Sequence, residues 1–187
     1  VACNMGTTLV HIAKKYGCDV VGIDLDEKAI EKANKKIKDN GLENKVKAIC
    51  GNAFDLPFED ESFDIIFHPV SNCYIESVEP VFKECYRILK KGGILLCGLD
   101  TIINYVLDEN EEKIVFSMPF NPLKNEEHRE FLQKMDCGYQ FSHSLSEQLG
   151  GQLKAGFILT NIEDDTGGEG RLHEMNIPTF IMTRAIK

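Results

Sequence analysis

The sequence predicts a doubly wound α/β domain, in which helices cover both faces of a mostly parallel sheet. Short apolar runs of strand length alternate with longer segments whose apolar residues recur at helical spacing. The strand candidates are almost continuously apolar, which is typical of parallel strands buried on both faces. Of the 187 residues, 43% are hydrophobic, so we predict a single domain over 1–187 with a sizeable core.

The beginning of the chain contains two strand–helix units. "VACNMG" has the composition of a strand end followed by a turn, and we expect the start of that first strand to precede Val1. A helix is predicted over 7–16, with threonines as possible caps and Gly17 as its end. "CDVVGIDL" predicts the second strand, and "EKAIEKANKKIKDNG" predicts a second helix that Asp26 caps.

The next segments extend the same alternation. "KVKAICGN" and "SFDIIFHP" predict the third and fourth strands, and "ILLCGLD" predicts the fifth. Between the last two, "SVEPVFKECYRILKKGG" predicts a helix that starts near Pro80, carries lysines in its last turn and stops at two glycines. The alternation of strand and helix therefore continues to about Asp100.

Residues 101–143 break this rhythm with prolines, many charges and scattered aromatic residues. We interpret them as an insertion with a helix around "NEEHREFLQKM" and as a candidate substrate lid. The chain then resumes with a helix, "SLSEQLGGQLKAG", a strand, "FILTNIED", a glycine-rich loop and a last strand, "PTFIMTRAI". Two strands without a helix between them predict an antiparallel last strand.

The composition limits the possible partners. Lys and Arg total 21 against 30 for Asp and Glu, which gives a net charge of −9 and opposes binding to nucleic acid or to an anionic membrane. We find no apolar run of 18 residues and no signal peptide, so we expect a cytoplasmic protein with a small-molecule substrate. The seven cysteines lack CxxC spacing, so we predict no metal site and expect most of them to be reduced and buried.

Candidate binding residues follow the strands, because ligands of open α/β sheets lie beyond the carboxyl ends of the strands. Small residues there allow a ligand to approach the backbone, a carboxylate can accept hydrogen bonds from ribose hydroxyls, and an amide can bind an adenine amino group. This combination predicts a site for an adenosine-bearing cofactor. The residues after the first four strands are Ala2, Cys3, Asn4 and Gly6; Asp24 and Leu25; Asn52 and Ala53; and His68.

Three segments carry a family resemblance: "GIDLDEKAIEKA", "GNAFDLPFEDESFDIIF" and "ECYRILKKGGILL". In order and spacing they resemble the class I S-adenosylmethionine-dependent methyltransferases, especially the bacterial small-molecule group. The similarity runs to about Asp100 and resumes near Ser144. It implies S-adenosylmethionine as cofactor, a seven-stranded sheet of order 3-2-1-4-5-7-6 with the last strand antiparallel, and methyl transfer to a small molecule whose accepting atom stays open.

The resemblance also implies roles for the residues at the strand ends. Asp24 would hold the ribose and Leu25 would pack on the adenine. Asn52 and the Ala53 backbone would bind the adenine edge, and the turn Ala2–Gly6 would face the methionine portion. The family usually has glycine at the position of the alanine and aspartate at that of the asparagine; the alanine fits if its φ is negative.

The catalytic residues stay open at this stage. His68 is a candidate general base because an imidazole titrates near neutral pH, yet it can equally line the cofactor pocket or bond to the backbone. Tyr74 is a weaker candidate, and Cys73 beside it is best interpreted as a packed thiol.

Two other function classes remain possible from the sequence. The departures at Ala2, Asn4 and Asn52 fit a non-catalytic relative that uses the fold to bind a partner. A nicotinamide-dependent dehydrogenase shares the sheet and the ribose carboxylate, but the first turn lacks the G-x-G-x-x-G pattern.

Overall fold

The computed structural model describes residues 2–187, which fold as an α/β protein in two compact units. We call them the N-terminal unit, which ends at Glu59, and the C-terminal unit, Asp60–Lys187. The single domain over the whole chain stays a prediction. Among residues 2–187, no helix has the length and apolar character needed to cross a membrane.

The N-terminal unit contains two helices and a two-stranded parallel sheet. Leu9 and Ala13 on the first helix and Ala33 and Ile37 on the second are buried in one apolar cluster with the strand residue Val46. The recurrence of apolar residues every three or four positions produces these buried faces. The elements are α1 (Thr7–Tyr16), β1 (Val20–Asp24), α2 (Glu27–Asp39) and β2 (Val46–Cys50).

The two helix starts of this unit follow different rules. Asp26 caps α2 as predicted, since its Oδ1 accepts the Lys28 N–H at 2.9 Å. The expected threonine cap of α1 is wrong, because Thr7 and Thr8 lie inside the helix and Gly6 precedes it at φ 73°. A Cβ built on Gly6 would lie 2.8 Å from the Ala33 Cβ, so the close approach of α1 and α2 requires glycine there.

The C-terminal unit contains a four-stranded sheet of order β3-β4-β6-β5. β3 and β4 are parallel, and β6 is antiparallel to both of its neighbours, β4 and β5, which confirms the predicted antiparallel last strand. The elements are β3 (Phe63–His68), a 3-10 turn (Asn72–Tyr74), α3 (Glu79–Ile88), β4 (Leu89–Asp100), α4 (Ile103–Val106), α5 (Glu126–Lys134), α6 (Leu145–Ala155), β5 (Ile158–Asp165), α7 (Arg171–Glu174) and β6 (Phe180–Ile186).

Several sequence expectations need correction. Residues 2–187 form six strands in sheets of two and four, so the seven-stranded order 3-2-1-4-5-7-6 is not confirmed. The strand end expected in "VACNMG" falls partly on Val1, outside the described residues, and Ala2 and Cys3 form no strand. The helix expected to reach the two glycines ends at Ile88, and the following lysines belong to β4. The glycine-rich loop before β6 contains the short helix α7.

The insertion 101–143 has a packed interior. Phe120 is almost fully buried and stacks on His128 at a centroid distance of 4.1 Å, while Phe116 lies edge-on to both rings. The predicted helix within the insertion is confirmed as α5, which Asn125 caps by accepting the Glu127 N–H. The segment is thus a folded part of the C-terminal unit, and its action as a lid stays a prediction.

The seven cysteines are all free thiols. Only three, Cys73, Cys85 and Cys97, are buried, so the expectation that most are buried is wrong. Three others are exposed: Cys50 is the last residue of β2, and Cys18 and Cys137 follow the ends of α1 and α5.

We predict that Gly6→Ala destabilises the protein strongly. The substitution places a side chain at φ 73° and drives its Cβ against Ala33. The backbone conformation costs about 1 kcal/mol and overpacking about 1–3 kcal/mol more, so the free energy of unfolding should fall by roughly 2–4 kcal/mol in urea titrations followed by circular dichroism.

Gly17→Ala is the matched control for this change. Gly17 also has positive φ, 68°, but a Cβ there would meet nothing within 4 Å. The free energy of unfolding of this variant should fall by only about 1 kcal/mol. Equal losses in the two variants would contradict the packing explanation.

Candidate functional site

The N-terminal unit brings together the predicted cofactor residues that follow its strands. The Cys3 N–H donates to the Ile23 carbonyl at 2.8 Å, and the Gly51 N–H donates to the Asp24 carbonyl at 2.9 Å. The Asn4 N–H donates to Oδ2 of Asp24 at 2.8 Å. The first loop and the carboxyl ends of β1 and β2 therefore form one connected surface.

Asp24 is at the centre of this surface. Its Oδ2 accepts from Asn4, and its Oδ1 accepts the Asp26 N–H at 3.1 Å. An ionised carboxylate has about four acceptor positions, so about two remain for the hydroxyls of a ribose. The side chain is half-buried, which fixes its position and leaves access to a ligand.

Leu25 follows Asp24 and is 73% exposed, unusually open for a leucine beside a sheet. Its carbonyl accepts a hydrogen bond from the Cys50 thiol at 3.5 Å, which joins it to the end of β2. An exposed apolar side chain beside a carboxylate suits the flat face of an adenine ring.

Asn52 forms a turn, and this role is visible in the structure. Its Oδ1 accepts the Phe54 N–H at 2.9 Å, and its carbonyl accepts the Asp55 N–H at 3.1 Å. The side-chain oxygen keeps a second acceptor position for an adenine amino group. The roles of Asn52 and of the half-buried Ala53 at the adenine edge stay predictions.

The loop Ala2–Gly6 has an unusual backbone. Ala2 has φ 52° and Asn4 has φ 47°, so the condition under which alanine would fit without strain, a negative φ, is not met. The left-handed region disfavours alanine and is tolerated better by asparagine. The backbone therefore retains the conformation that glycine would favour at these positions.

A chain of buried amide groups in the C-terminal unit fixes the protonation of His68. Gln148 Nε2 donates to the Asp100 carbonyl at 2.6 Å, and Asn72 Nδ2 donates to Gln148 Oε1 at 3.1 Å. Asn72 Oδ1 then lies 2.7 Å from His68 Nε2. All three polar side chains that form this chain are at least 98% buried.

The direction of every hydrogen bond in this chain follows from the Asp100 backbone carbonyl. A backbone carbonyl can only accept, so Gln148 must present its NH₂ group to Asp100 and its oxygen to Asn72. Asn72 must then present its own oxygen to His68, whose Nε2 carries the proton. His68 Nδ1 is left with a lone pair and has no hydrogen-bond partner within residues 2–187.

Burial also determines the charge of His68. Loss of hydration lowers its pKa to about 4, while the bond to Asn72 opposes this shift only weakly. His68 is thus a neutral imidazole with one open acceptor. Whether it contacts the cofactor or acts as a base stays a prediction.

Asp100 and Tyr105 form a second buried polar group that sequence reasoning missed. The Tyr105 hydroxyl donates a hydrogen bond to Oδ2 of Asp100. Burial raises the pKa of Asp100, and this hydrogen bond partly opposes the increase. Burial, followed by the neighbouring Asp100, raises the pKa of Tyr105. Asp100 ends the fifth predicted strand, so the strand-end rule that selected Asp24 would have found it.

A cavity of about 720 Å³ lies beside this pair within the C-terminal unit. Its walls come mainly from β3, β4 and β6, with Asn104, Tyr105 and Gln140 contributed by the insertion 101–143. Most of the lining is apolar. The apolar members are Phe67, Pro69, Val70, Cys73, Leu96, Cys97, Phe180, Ile181 and Met182.

Cys73 and Tyr74, the other residues considered for a catalytic role, differ in solvent exposure. Cys73 is a packed thiol as predicted, since burial raises its pKa to about 12 and keeps it protonated. Tyr74 lines the cavity but is 63% exposed, and the adjacent Cys73, then burial, raise the pKa of its phenol. Neither arrangement supplies a nucleophile at neutral pH.

We predict that His68 makes the folded protein sensitive to acid. Because its pKa is lower when folded, the unfolded state binds a proton between pH 6.5 and about 4 that the folded state does not, and stability falls as the pH decreases through this range. At about 1.4 kcal/mol per pH unit the total is roughly 3 kcal/mol. His68→Gln should therefore lose about 3 kcal/mol less unfolding free energy than the native protein between pH 7 and 4.

His11→Gln supplies the control, because His11 is an exposed residue of α1. Between pH 7 and 4 this variant should lose as much unfolding free energy as the native protein. If His68→Gln lost as much stability on acidification as native protein, the buried neutral imidazole would be disproved.

Comparison with known proteins identifies the fold and the family. The model of a methyltransferase domain matches residues 1–97. An uncharacterized methyltransferase of Bacillus subtilis, YbaJ, is 36% identical over 179 residues, which cover 91% of this chain and 69% of YbaJ. The crystal structure of an S-adenosylmethionine-dependent methyltransferase from Mesorhizobium loti superposes with a TM-score of 0.79 at 15% identity, covering 100% of this chain and 88% of that one.

A more distant relative has a named substrate class. Sterol 24-C-methyltransferase of Pneumocystis carinii is 31% identical over 121 residues, which cover 63% of this chain but only 32% of that enzyme. The matches cover both the segments that carry the cofactor motifs and, in YbaJ, most of the C-terminal unit. They favour the enzyme over the non-catalytic and dehydrogenase alternatives. The chain belongs to the class I S-adenosylmethionine-dependent methyltransferases.

Proposed function

We propose that the protein transfers a methyl group to a small, mainly apolar acceptor bound in the cavity of the C-terminal unit. The observation that carries this proposal is the cavity itself. Its volume of about 720 Å³ lies within the range of about 300–1,000 Å³ typical of small-molecule sites. Its walls combine extensive apolar surface with a few polar groups, as such sites do.

The charges around the cavity narrow the acceptor class. Within the described residues, the lining contains two carboxylates, Asp100 and Asp165, and neither lysine nor arginine. An anionic acceptor would find no positive partner there, so a neutral or cationic molecule is favoured. The sterol methyltransferase relative, named for an apolar substrate, supports the same choice and makes carbon a candidate accepting atom.

The cofactor residues of the N-terminal unit fit S-adenosylmethionine. Asp24 keeps two acceptor positions for the ribose, Leu25 offers an apolar surface for the adenine, and Asn52 keeps one acceptor position for its amino group. When bound, the cofactor supplies a methyl group activated by the positive charge on sulfur.

The protein's own contribution is alignment and exclusion of water. Orientation of two reactants accounts for up to about 7–11 kcal/mol of a barrier, which explains why no prominent catalytic motif is needed. The apolar walls of the cavity remove water from the acceptor. The insertion 101–143 supplies part of the cavity wall, whereas the neutral His68 is not among the residues that line the cavity.

We predict that Asp24→Ala greatly weakens cofactor binding. The substitution removes a charged acceptor of two ribose hydroxyls, and each such hydrogen bond contributes about 1.5–3 kcal/mol. The affinity for S-adenosylhomocysteine, measured by calorimetry, should fall by at least about 100-fold.

Asp26→Ala tests whether the loss is local. Asp26 lies two residues away and caps α2, so its removal should cost about 1 kcal/mol of stability but leave the affinity unchanged. Native affinity in Asp24→Ala, or an equal loss in both variants, would overturn the assignment of the ribose site.

A further inference from the structure

The buried carboxylate of Asp100 is only half satisfied. The residue is 4% exposed, and its Oδ2 accepts the hydroxyl of Tyr105. Its Oδ1 is also buried and has no hydrogen-bond partner in the part of the chain that the structure describes. A buried acceptor without a donor costs about 1–3 kcal/mol, and more when it is charged, so such atoms need an explanation.

The donors around Asp100 are already engaged elsewhere. The Gln148 amide donates to the Asp100 backbone carbonyl at 2.6 Å, and its proximity to the carboxyl also acts to lower the pKa of Asp100, which burial raises. His143 Nε2 lies 3.0 Å and 2.9 Å from the carbonyls of Asn72 and Ile75. Since these carbonyls can only accept, that nitrogen carries its proton toward them. Neither of these side chains forms a hydrogen bond with Oδ1.

Asp100 lies in the wall of the cavity, where the surrounding side chains are mostly apolar. Leu96 precedes it on β4, and Ile181 and Met182 on the neighbouring β6 line the same space. In such a wall an acceptor without a partner discriminates strongly, because a ligand that lacks a donor leaves it unpaired. Burial raises the pKa of Asp100, while the Tyr105 hydroxyl opposes this increase and stabilises the carboxylate, in which both oxygens are acceptors.

We propose that Oδ1 of Asp100 receives a hydrogen bond from the acceptor molecule, which is accordingly an apolar compound carrying a hydroxyl or amine group. This inference rests on the proposed function, because it assigns the cavity to the acceptor. It defines Asp100 as the residue that determines acceptor specificity and Tyr105 as the residue that positions its carboxylate.

The test compares two matched probes, para-hydroxybiphenyl and para-methoxybiphenyl, which share an apolar body and differ in one donor. Binding of each to the full chain saturated with S-adenosylhomocysteine is measured by saturation-transfer NMR titration. We expect the hydroxyl probe to bind at least about tenfold more tightly, since a hydrogen bond to a charged group exceeds the energy of a tenfold change.

Asp100→Asn should reverse this preference. Tyr105 then donates to the amide oxygen, and the amide NH₂ occupies the position of the unpaired oxygen. A donor now replaces the unpaired acceptor, so the methoxy probe should bind at least as tightly as the hydroxyl probe. The shape of the side chain is unchanged, so the variant should fold, which circular dichroism checks.

Asp165→Asn is the matched control, because it makes the same chemical change in another carboxylate that lines the cavity. Oδ1 of Asp165 already accepts the Thr166 N–H at 2.8 Å, so the hydroxyl preference should persist in this variant. Loss of the preference in both variants would show that charge, not the Asp100 hydrogen bond, determines it.

The remaining outcomes separate this inference from the proposed function. Equal binding of the two probes to native protein, or binding of neither while S-adenosylhomocysteine binds, would overturn the inference and leave the cofactor site intact. Failure of S-adenosylhomocysteine to bind, read in its own titration, would overturn the proposed function and this inference with it.

Discussion

The polar interior of the C-terminal unit depends on one directional constraint, the hydrogen bond from Gln148 to the Asp100 backbone carbonyl. That carbonyl cannot donate, so it fixes the orientation of every amide that follows it and finally the protonated nitrogen of His68. The chain links α6 to the ends of β3 and β4 through side chains that are removed from water. Reversing any one amide would leave two donors or two acceptors facing each other.

This constraint joins two residues with different tasks. His68 ends β3 as a neutral imidazole, and Asp100 ends β4 with its carboxylate beside the cavity. Their backbone and side-chain positions are coupled through Asn72 and Gln148, so the placement of one fixes that of the other. A buried network of this kind is strongly destabilised when one of its hydrogen bonds is missing. The complete network is therefore rigid. A rigid wall is what a reaction controlled by alignment requires.

The spacing of apolar residues predicted the helices and strands whose formation depends on local burial. It failed where pairing with a distant strand determines the secondary structure. A helix was predicted around "NEEHREFLQKM", and in α5 the buried His128 and Leu132 recur at helical spacing while Asn125 caps the helix. The end of α3 was not predicted, because Leu89 pairs with Phe63 of β3 and the Gly92 N–H donates to the Lys187 carbonyl. Those partners are distant in sequence, so the helix-forming residues after Ile88 are drawn into the sheet.

The residues of the candidate site also divide into those that a local sequence pattern predicts and those whose role depends on tertiary packing. Asp24 was predicted because it follows a strand, and the same rule applied to the fifth strand would have identified Asp100. Gln148 carries no such signal, because a glutamine in an amphipathic helix normally lies on the solvated face. Its role depends on the tertiary packing of α6, which also lies against α3, where a neighbouring glycine, Gly151, permits close contact with Phe82. No local pattern encodes that contact.

The double use of Asp24 has an evolutionary consequence. One carboxylate holds the first loop through Asn4, caps the turn at Asp26 and keeps the acceptor positions that we propose bind the ribose. A longer glutamate would shift all three partners at once, so an exchange that is mild on most surfaces would be severe here. The position is therefore constrained by chain geometry as well as by charge, and compensating substitutions would have to arise in the loop Ala2–Gly6 itself.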